Sequence, residues 1–229
     1  MKKIVALLSV VLMMSSCTEE IKTNTPAFQA QFGEEVWRAK TVRVTPNENG
    51  GITITALTNY EQITLNTSSA NAGTYYFGST NADDFATYSF ETDSDFGDYD
   101  TSIYEGPVYK IAGVVNPGSN YIQSNNALTT GGSGSGLKVA TVTGTAGTIT
   151  DVNIVSRGDG YKAGDVVTIV GGDNNATIRV LNVQQSNGEI IIEKIENGTY
   201  TGTFKFSAVD ELGEVVTFSQ GVFYKAPLQ

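Results

Sequence analysis

Four aspartates crowd into Asp93-Ser94-Asp95-Phe96-Gly97-Asp98-Tyr99-Asp100. Carboxylates at alternating positions around a glycine bend offer the oxygen donors that a hard cation such as Ca²⁺ takes, about six to eight at a time. Asp93, Asp95, Asp98 and Asp100 are therefore candidate calcium ligands. The spacing is not that of an EF-hand loop, and no glutamate stands where its bidentate ligand belongs, so a solvated acidic loop is the competing reading. Tyrosine supplies the second group: Tyr75, Tyr76, Tyr88, Tyr99, Tyr104 and Tyr109. A ring with a polar tip suits a flat glycan or protein surface, although strand alternation would bury roughly half of them.

Histidine is absent, which removes the commonest general base and the commonest metal ligand together. Zinc centres and Ser-His-Asp or Cys-His chemistry are excluded. Carboxylate, lysine or tyrosine chemistry, or a hard metal on oxygen ligands, stays open. Asp83, Asp84 and Glu105 carry the right group for an acid–base pair, but nothing in their spacing selects them. Arg157-Gly158-Asp159 spells a cell-adhesion tripeptide where a turn repeat already requires glycine. Gly131 to Gly136 lacks the Lys-Ser/Thr and the following helix of a phosphate loop. No catalytic constellation emerges, and the expectation is a protein that is not an enzyme.

Cys17 is the only cysteine, so no intramolecular disulfide is possible. It follows a basic start, Lys2-Lys3, an apolar run from Ile4 to Met14, and Met14-Ser15-Ser16. These are the zones of a secretion signal over residues 1–16, too short for a spanning helix of about 20 residues. Met-Ser-Ser-Cys resembles a bacterial lipobox. The resemblance implies cleavage before Cys17, a diacylglycerol on its sulfur and anchoring to a membrane. Residues 17–26 then form a polar tether. Thr18 follows the cysteine, and Glu19-Glu20 resembles an acidic surface-export signal, so an outer-membrane lipoprotein is expected, on the periplasmic or the surface face. Without Lys2 and Lys3 the chain carries 12 basic and 24 acidic residues, formally −12. Such a charge repels nucleic acid.

From Ala27 onward the text is β-like. Phe28, Ala30 and Phe32 alternate with polar residues, as do Ile52, Ile54 and Ala56, then Ile63 and Leu65. Trp37 lies within Val36–Val44. Gly33-Glu34, Asn49-Gly50-Gly51 and Asn71-Ala72-Gly73 punctuate the strands. No sustained 3.6-residue period follows the signal. The spacing predicts an all-β fold, an antiparallel sandwich or partly closed barrel. Composition then shifts: residues 112–184 hold 13 of 25 glycines but only Tyr121 and Tyr161 of 22 aromatics. Alternation returns with Phe204, Phe206 and Ala208, and with Val216 and Phe218 after an Asp210–Gly213 turn. The parsing is a discontinuous host domain, 27–111 plus 198–229, interrupted by a glycine-rich module over 112–197.

The module repeats itself. Val114 to Tyr121 aligns with Ile154 to Tyr161, 40 residues on, and Gly131-Gly132 aligns with Gly171-Gly172 at the same offset. Glu196-Asn197-Gly198-Thr199-Tyr200 reads as a third start, which leaves the C-terminal edge of the module between about residues 185 and 198. The glycines, and Asn120 less well, would supply positive φ in tight turns.

The flanking segments resemble a family of Bacteroidetes lipoproteins with no known activity. The matching residues are Phe28–Ala39 around Trp37, Ile52–Ala56, Ile63–Leu65, Gly73–Tyr75, Thr201–Ala208 and Val216–Phe223. That resemblance implies location and fold class only. The chain departs from the pattern in its long insert and at Phe218-Ser219. The insert, through Gly158-Asp159-Gly160-Tyr161-Lys162-Ala163-Gly164-Asp165 and Gly131–Gly136, resembles glycine-rich β-repeats of phage tail and virion proteins. It implies a spacer or receptor-facing module. Two functions are thus expected in competition. One is a non-catalytic envelope lipoprotein with an adhesion, structural or partner-binding role. The other is a glycan-binding lipoprotein serving polysaccharide uptake.

Overall fold

The computed structural model describes residues 27–229. The expected signal at 1–16, Cys17 and the tether at 17–26 lie outside the described residues. The chain is all-β, in two antiparallel sheets. Eight strands come first: β1 (Ala27–Phe32), β2 (Glu35–Arg38), β3 (Thr41–Pro46), β4 (Ile52–Leu57), β5 (Glu61–Thr67), β6 (Gly73–Phe77), β7 (Phe85–Glu91) and β8 (Phe96–Asp100). A second set follows: β9 (Val108–Asn116), β10 (Ser124–Thr130), β11 (Ser135–Thr143), β12 (Ile149–Asp159), β13 (Val166–Ile169) and β14 (Thr177–Val183). Then β15 (Asn187–Glu196), β16 (Thr199–Val209) and β17 (Val215–Pro227) rejoin the first set.

The larger sheet runs β2-β1-β17-β16-β8-β7-β5-β4-β3, with β15 and then β6 branching from β16. The long strand β16 has room for both neighbours: β15 pairs along Thr199–Ser207 and β8 takes Val209. The sheet curls so that Val44 on β3 meets Leu228 in an isolated parallel bridge. The alternation read from the sequence sets its inner face. Phe28, Ala30, Ile52, Ile54, Ala56, Ile63, Leu65, Phe204, Phe206 and Phe218 are all buried. The last hairpin packs on the first strands as its apolar face requires: Phe204 stacks on Phe28 at 4.6 Å and Phe218 meets Trp37 edge-on at 6.3 Å.

The second sheet, in the order β12-β11-β10-β13-β14-β9, is a nearly closed barrel. It is a strand-exchanged pair of the two sequence repeats. The first repeat supplies β9, β10 and β11, and the second supplies β12, β13 and β14. The leading strand of each pairs with the last strand of the other, β9 with β14 and β12 with β11. A pseudo-two-fold axis passes between β10 and β13, where Thr129 pairs with Ile169, its own counterpart 40 residues on. The glycine-pair turns follow the same symmetry. Ser133 Oγ donates to Gly160 O, and at the equivalent place Asn120 Nδ2 donates to Asp173. Asn120 adopts φ +59° where its counterpart Gly160 has +75°, the left-handed region that asparagine tolerates best after glycine.

The expected start of the module moves toward the N-terminus, and its other edge falls at the early end of the expected range. The second sheet begins at Val108, and β15, within the expected 112–197, pairs with β16 and β6 of the larger sheet. Ile190 and Ile192 are buried in the aromatic-rich core, so alternation, not glycine content, marks which sheet a strand joins. The possible third repeat start is instead the β15–β16 hairpin, whose Asn197 and Gly198 take φ +52° and +69°, as a two-residue primed turn demands. The module leaves and returns at one place, since Gln184 N donates to Pro107 O at 2.9 Å. Excising residues 108–183 and joining the ends with a short Gly-Ser linker should therefore leave a folded larger sheet. Retained β-type far-ultraviolet dichroism and a cooperative urea transition are expected; an unfolded product would show that the two sheets depend on each other.

Candidate functional site

The face of the larger sheet opposite its core forms a trough. Register alone builds it: Ile191, Thr203, Val222 and Gln29 lie in one cross-strand row over β15, β16, β17 and β1. The trough encloses about 470 Å³, also bordered by Glu189 and Lys205. In the next row Tyr76, Glu189 and Lys205 sit side by side on β6, β15 and β16. Here the second sheet rises against the first and adds Tyr109 and Lys110 from β9, Arg157 from β12 and Asn182 from β14, framing a cleft of about 320 Å³. Trough and cleft share Glu189 and Lys205 and so form one continuous surface.

The cleft is electrostatically unbalanced. Glu189 lies between two ammonium groups, 3.0 Å from Lys205 Nζ and 3.6 Å from Lys110 Nζ. The Glu189 hydrogen bond holds Lys205 above the usual lysine range, against partial burial that lowers it. Lys110 Nζ also caps the Tyr76 ring at 4.2 Å, and the Arg157 guanidinium lies 5.7 Å from the Tyr109 ring, both within cation–π range. Asn182 is 1% exposed; its Nδ2 donates to Phe77 O, while its Oδ1 has no partner among the described residues. Three cations, one carboxylate, two rings and an unused buried acceptor thus converge.

The expected calcium ligands do not converge. Asp93 and Asp95 lie in the β7–β8 turn, where Asp95 exchanges hydrogen bonds with Thr92 through its backbone. Asp98 follows on β8 and borders, with them, an open hollow of about 710 Å³. Asp100 is not among the residues lining it, and its Oδ1 accepts from Ser102 N at 2.8 Å. Among the described residues no three acidic side chains come together as a metal site requires. Gly97, read as the bend, lies inside the strand opposite Phe90.

The tyrosines divide by strand face. Tyr88 is buried in the core, where burial first and then its 2.8 Å hydrogen bond to Glu61 push its phenol well above the usual range. Tyr75 and Tyr99 pack at the core's margin. Tyr104 is exposed beside Glu105. Only Tyr76 and Tyr109 reach the cleft. Asp83, Asp84 and Glu105 are held separately: Asp83 by Asn49, Asp84 by Ser68 N and Asn81, Glu105 by Lys162 at 2.7 Å. Arg157 has a structural task, since its Nη1 donates to the carbonyls of Val108 and Tyr109 at 2.7 and 2.9 Å. It thereby bridges β12 to β9 across the gap in the second barrel. Lys110, Glu189 and Lys205 had no signal in the sequence, because register joins Glu189 to Lys205 and only the meeting of the two sheets adds Lys110.

The model of a domain of unknown function, DUF6252, matches residues 24–145 and again 133–227. The chain belongs to the DUF6252 family. The two DUF6252 matches meet on β11, so each takes in part of the second sheet together with strands of the larger one. No curated protein and no solved structure matches the chain. The family description carries no activity, and function has to be argued from the cleft.

Proposed function

We propose that this chain is a non-catalytic lipoprotein of the bacterial cell envelope, held to the outer membrane through Cys17 and presenting its strand-built surface to a partner. The observation that carries the binding role is the cleft itself. It has a single carboxylate, already hydrogen-bonded and paired with ammonium groups, so it lacks the two separately tuned acids that hydrolysis of a glycosidic bond uses. What it offers is recognition: rings, cations and a buried acceptor without a partner among the described residues, on strands whose ladders fix their positions. The resemblances in the sequence support a Bacteroidetes setting and a spacer role for the glycine-rich module. An acidic chain of formal charge −10 disfavours nucleic acid as the partner.

The anchor has a direct test. Cys17→Ser should abolish labelling by a radioactive fatty acid and release the protein from the membrane fraction. A single acyl chain holds weakly, whereas the two or more of a lipoprotein hold stably, at about 0.8 kcal/mol per buried CH₂. Persistent labelling of the variant would refute the anchor. A second reading, glycan capture for polysaccharide uptake, is favoured by Tyr76 and Tyr109 standing on either side of the junction, where flat, amphipathic rings can cover sugar faces.

A further inference from the structure

We infer that the junction cleft binds the carboxylate of an acidic saccharide, with the rest of the sugar chain lying along the trough; this rests on the glycan-capture reading. Three features select that ligand. The first is charge. Lys110 and Lys205 flank one carboxylate, Glu189, and Arg157 lines the same cleft, leaving an excess of positive charge in a protein that is otherwise acidic. An anion repelled by the remaining surface is focused there. Two ammonium groups that share one carboxylate are completed by a second one.

The second feature is the unused acceptor. Asn182 is one of the residues lining the cleft, and its Oδ1 is buried without a partner among the described residues. A buried carbonyl left unpaired is costly, and a ligand hydroxyl beside the bound carboxylate supplies the missing donor. A saccharide carries both groups on one ring. The third feature is continuity. From β15 to β1 the trough crosses three strand intervals, about 14 Å at the usual spacing. Its row of Ile191, Thr203, Val222 and Gln29 alternates apolar and hydrogen-bonding contacts, which suits the mixed C–H and O–H surface of a sugar chain. Tyr76 and Tyr109 close the end where the acidic ring sits.

The test is an array of uronate-containing, sialylated and neutral oligosaccharides, followed by calorimetry with the best uronate oligomer and its carboxyl-reduced counterpart. Binding confined to carboxylated members is expected. Lys205→Met should weaken it about tenfold, equivalent to about 1.4 kcal/mol, while Lys205→Arg keeps most of it. Glu189→Gln should tighten binding several-fold, because the competing carboxylate is gone; a purely structural role for Glu189 would not give that sign. Unchanged circular dichroism confirms that each variant is folded. Equal binding of the carboxyl-reduced oligomer overturns the acidic assignment and leaves glycan capture standing. Absence of binding to every member of the array overturns both.

Discussion

Phe218→Ala is expected to remove about 3–5 kcal/mol of stability, the range for emptying an aromatic site in a core. Phe218 is fully buried and is the hub of the aromatic cluster. Its ring stacks on Phe32 at 4.6 Å, lies 5.0 Å from both Phe206 and Tyr88, and meets Trp37 edge-on. These partners come from β1, β2, β7 and β16, so the ring on β17 joins the first strands of the chain to the last. The surrounding rings are flat and large and cannot collapse into the space. Domains are typically stable by about 5–15 kcal/mol, so the variant should show a much lower urea midpoint and weakened near-ultraviolet dichroism. A loss below about 1 kcal/mol would mean that the cluster is not a packed core.

Tyr121→Phe tests the second sheet with the loss of one oxygen. The Tyr121 hydroxyl donates to Ile169 O and accepts from Ala176 N, both at 2.9 Å. It thus ties the end of β13 to the start of β14 from within the barrel. Phenylalanine keeps the ring but leaves a buried carbonyl and a buried N–H unpaired, at about 1–3 kcal/mol each. A loss of about 2–4 kcal/mol is expected, read by hydrogen exchange as faster opening at Ala176 and its neighbours while the amides of β4 and β5 keep their protection. Uniform loss of protection in both sheets would show a single cooperative unit instead.

The strands of the larger sheet were legible because burial on one face leaves a period of two. Phe28 and Ala30, Ile52 to Ala56, and Phe204 to Ala208 all show it. The repeat was legible because the same turns demand positive φ twice. Register was not legible. Tyr76, Glu189 and Lys205 are neighbours only because β15 lies between β6 and β16, and no spacing along the chain encodes that. Gly97 misled for a physical reason. A side chain there would meet the Phe90 ring at 2.6 Å, so glycine marks a covered strand position and not a bend between metal ligands. Arg157 looked like part of an adhesion tripeptide because a side chain spent on two backbone carbonyls leaves no trace in composition.

The chain closes both of its sheets with partners distant in sequence: β1 lies against β17, and β9 against β14. A nascent chain emerging from the ribosome therefore holds β1 paired with β2 alone until β17 is made. The leading strand of the first repeat waits likewise for the final strand of the second. Pairings of such long range are slow to form, since loop-closure entropy is spent before contacts repay it. Synthesis from the N-terminus thus lets the local meanders β3-β4-β5-β7-β8 and β10-β11-β12 pair first, and leaves the β1–β17 and β9–β14 seams to form once their distant strands have been made.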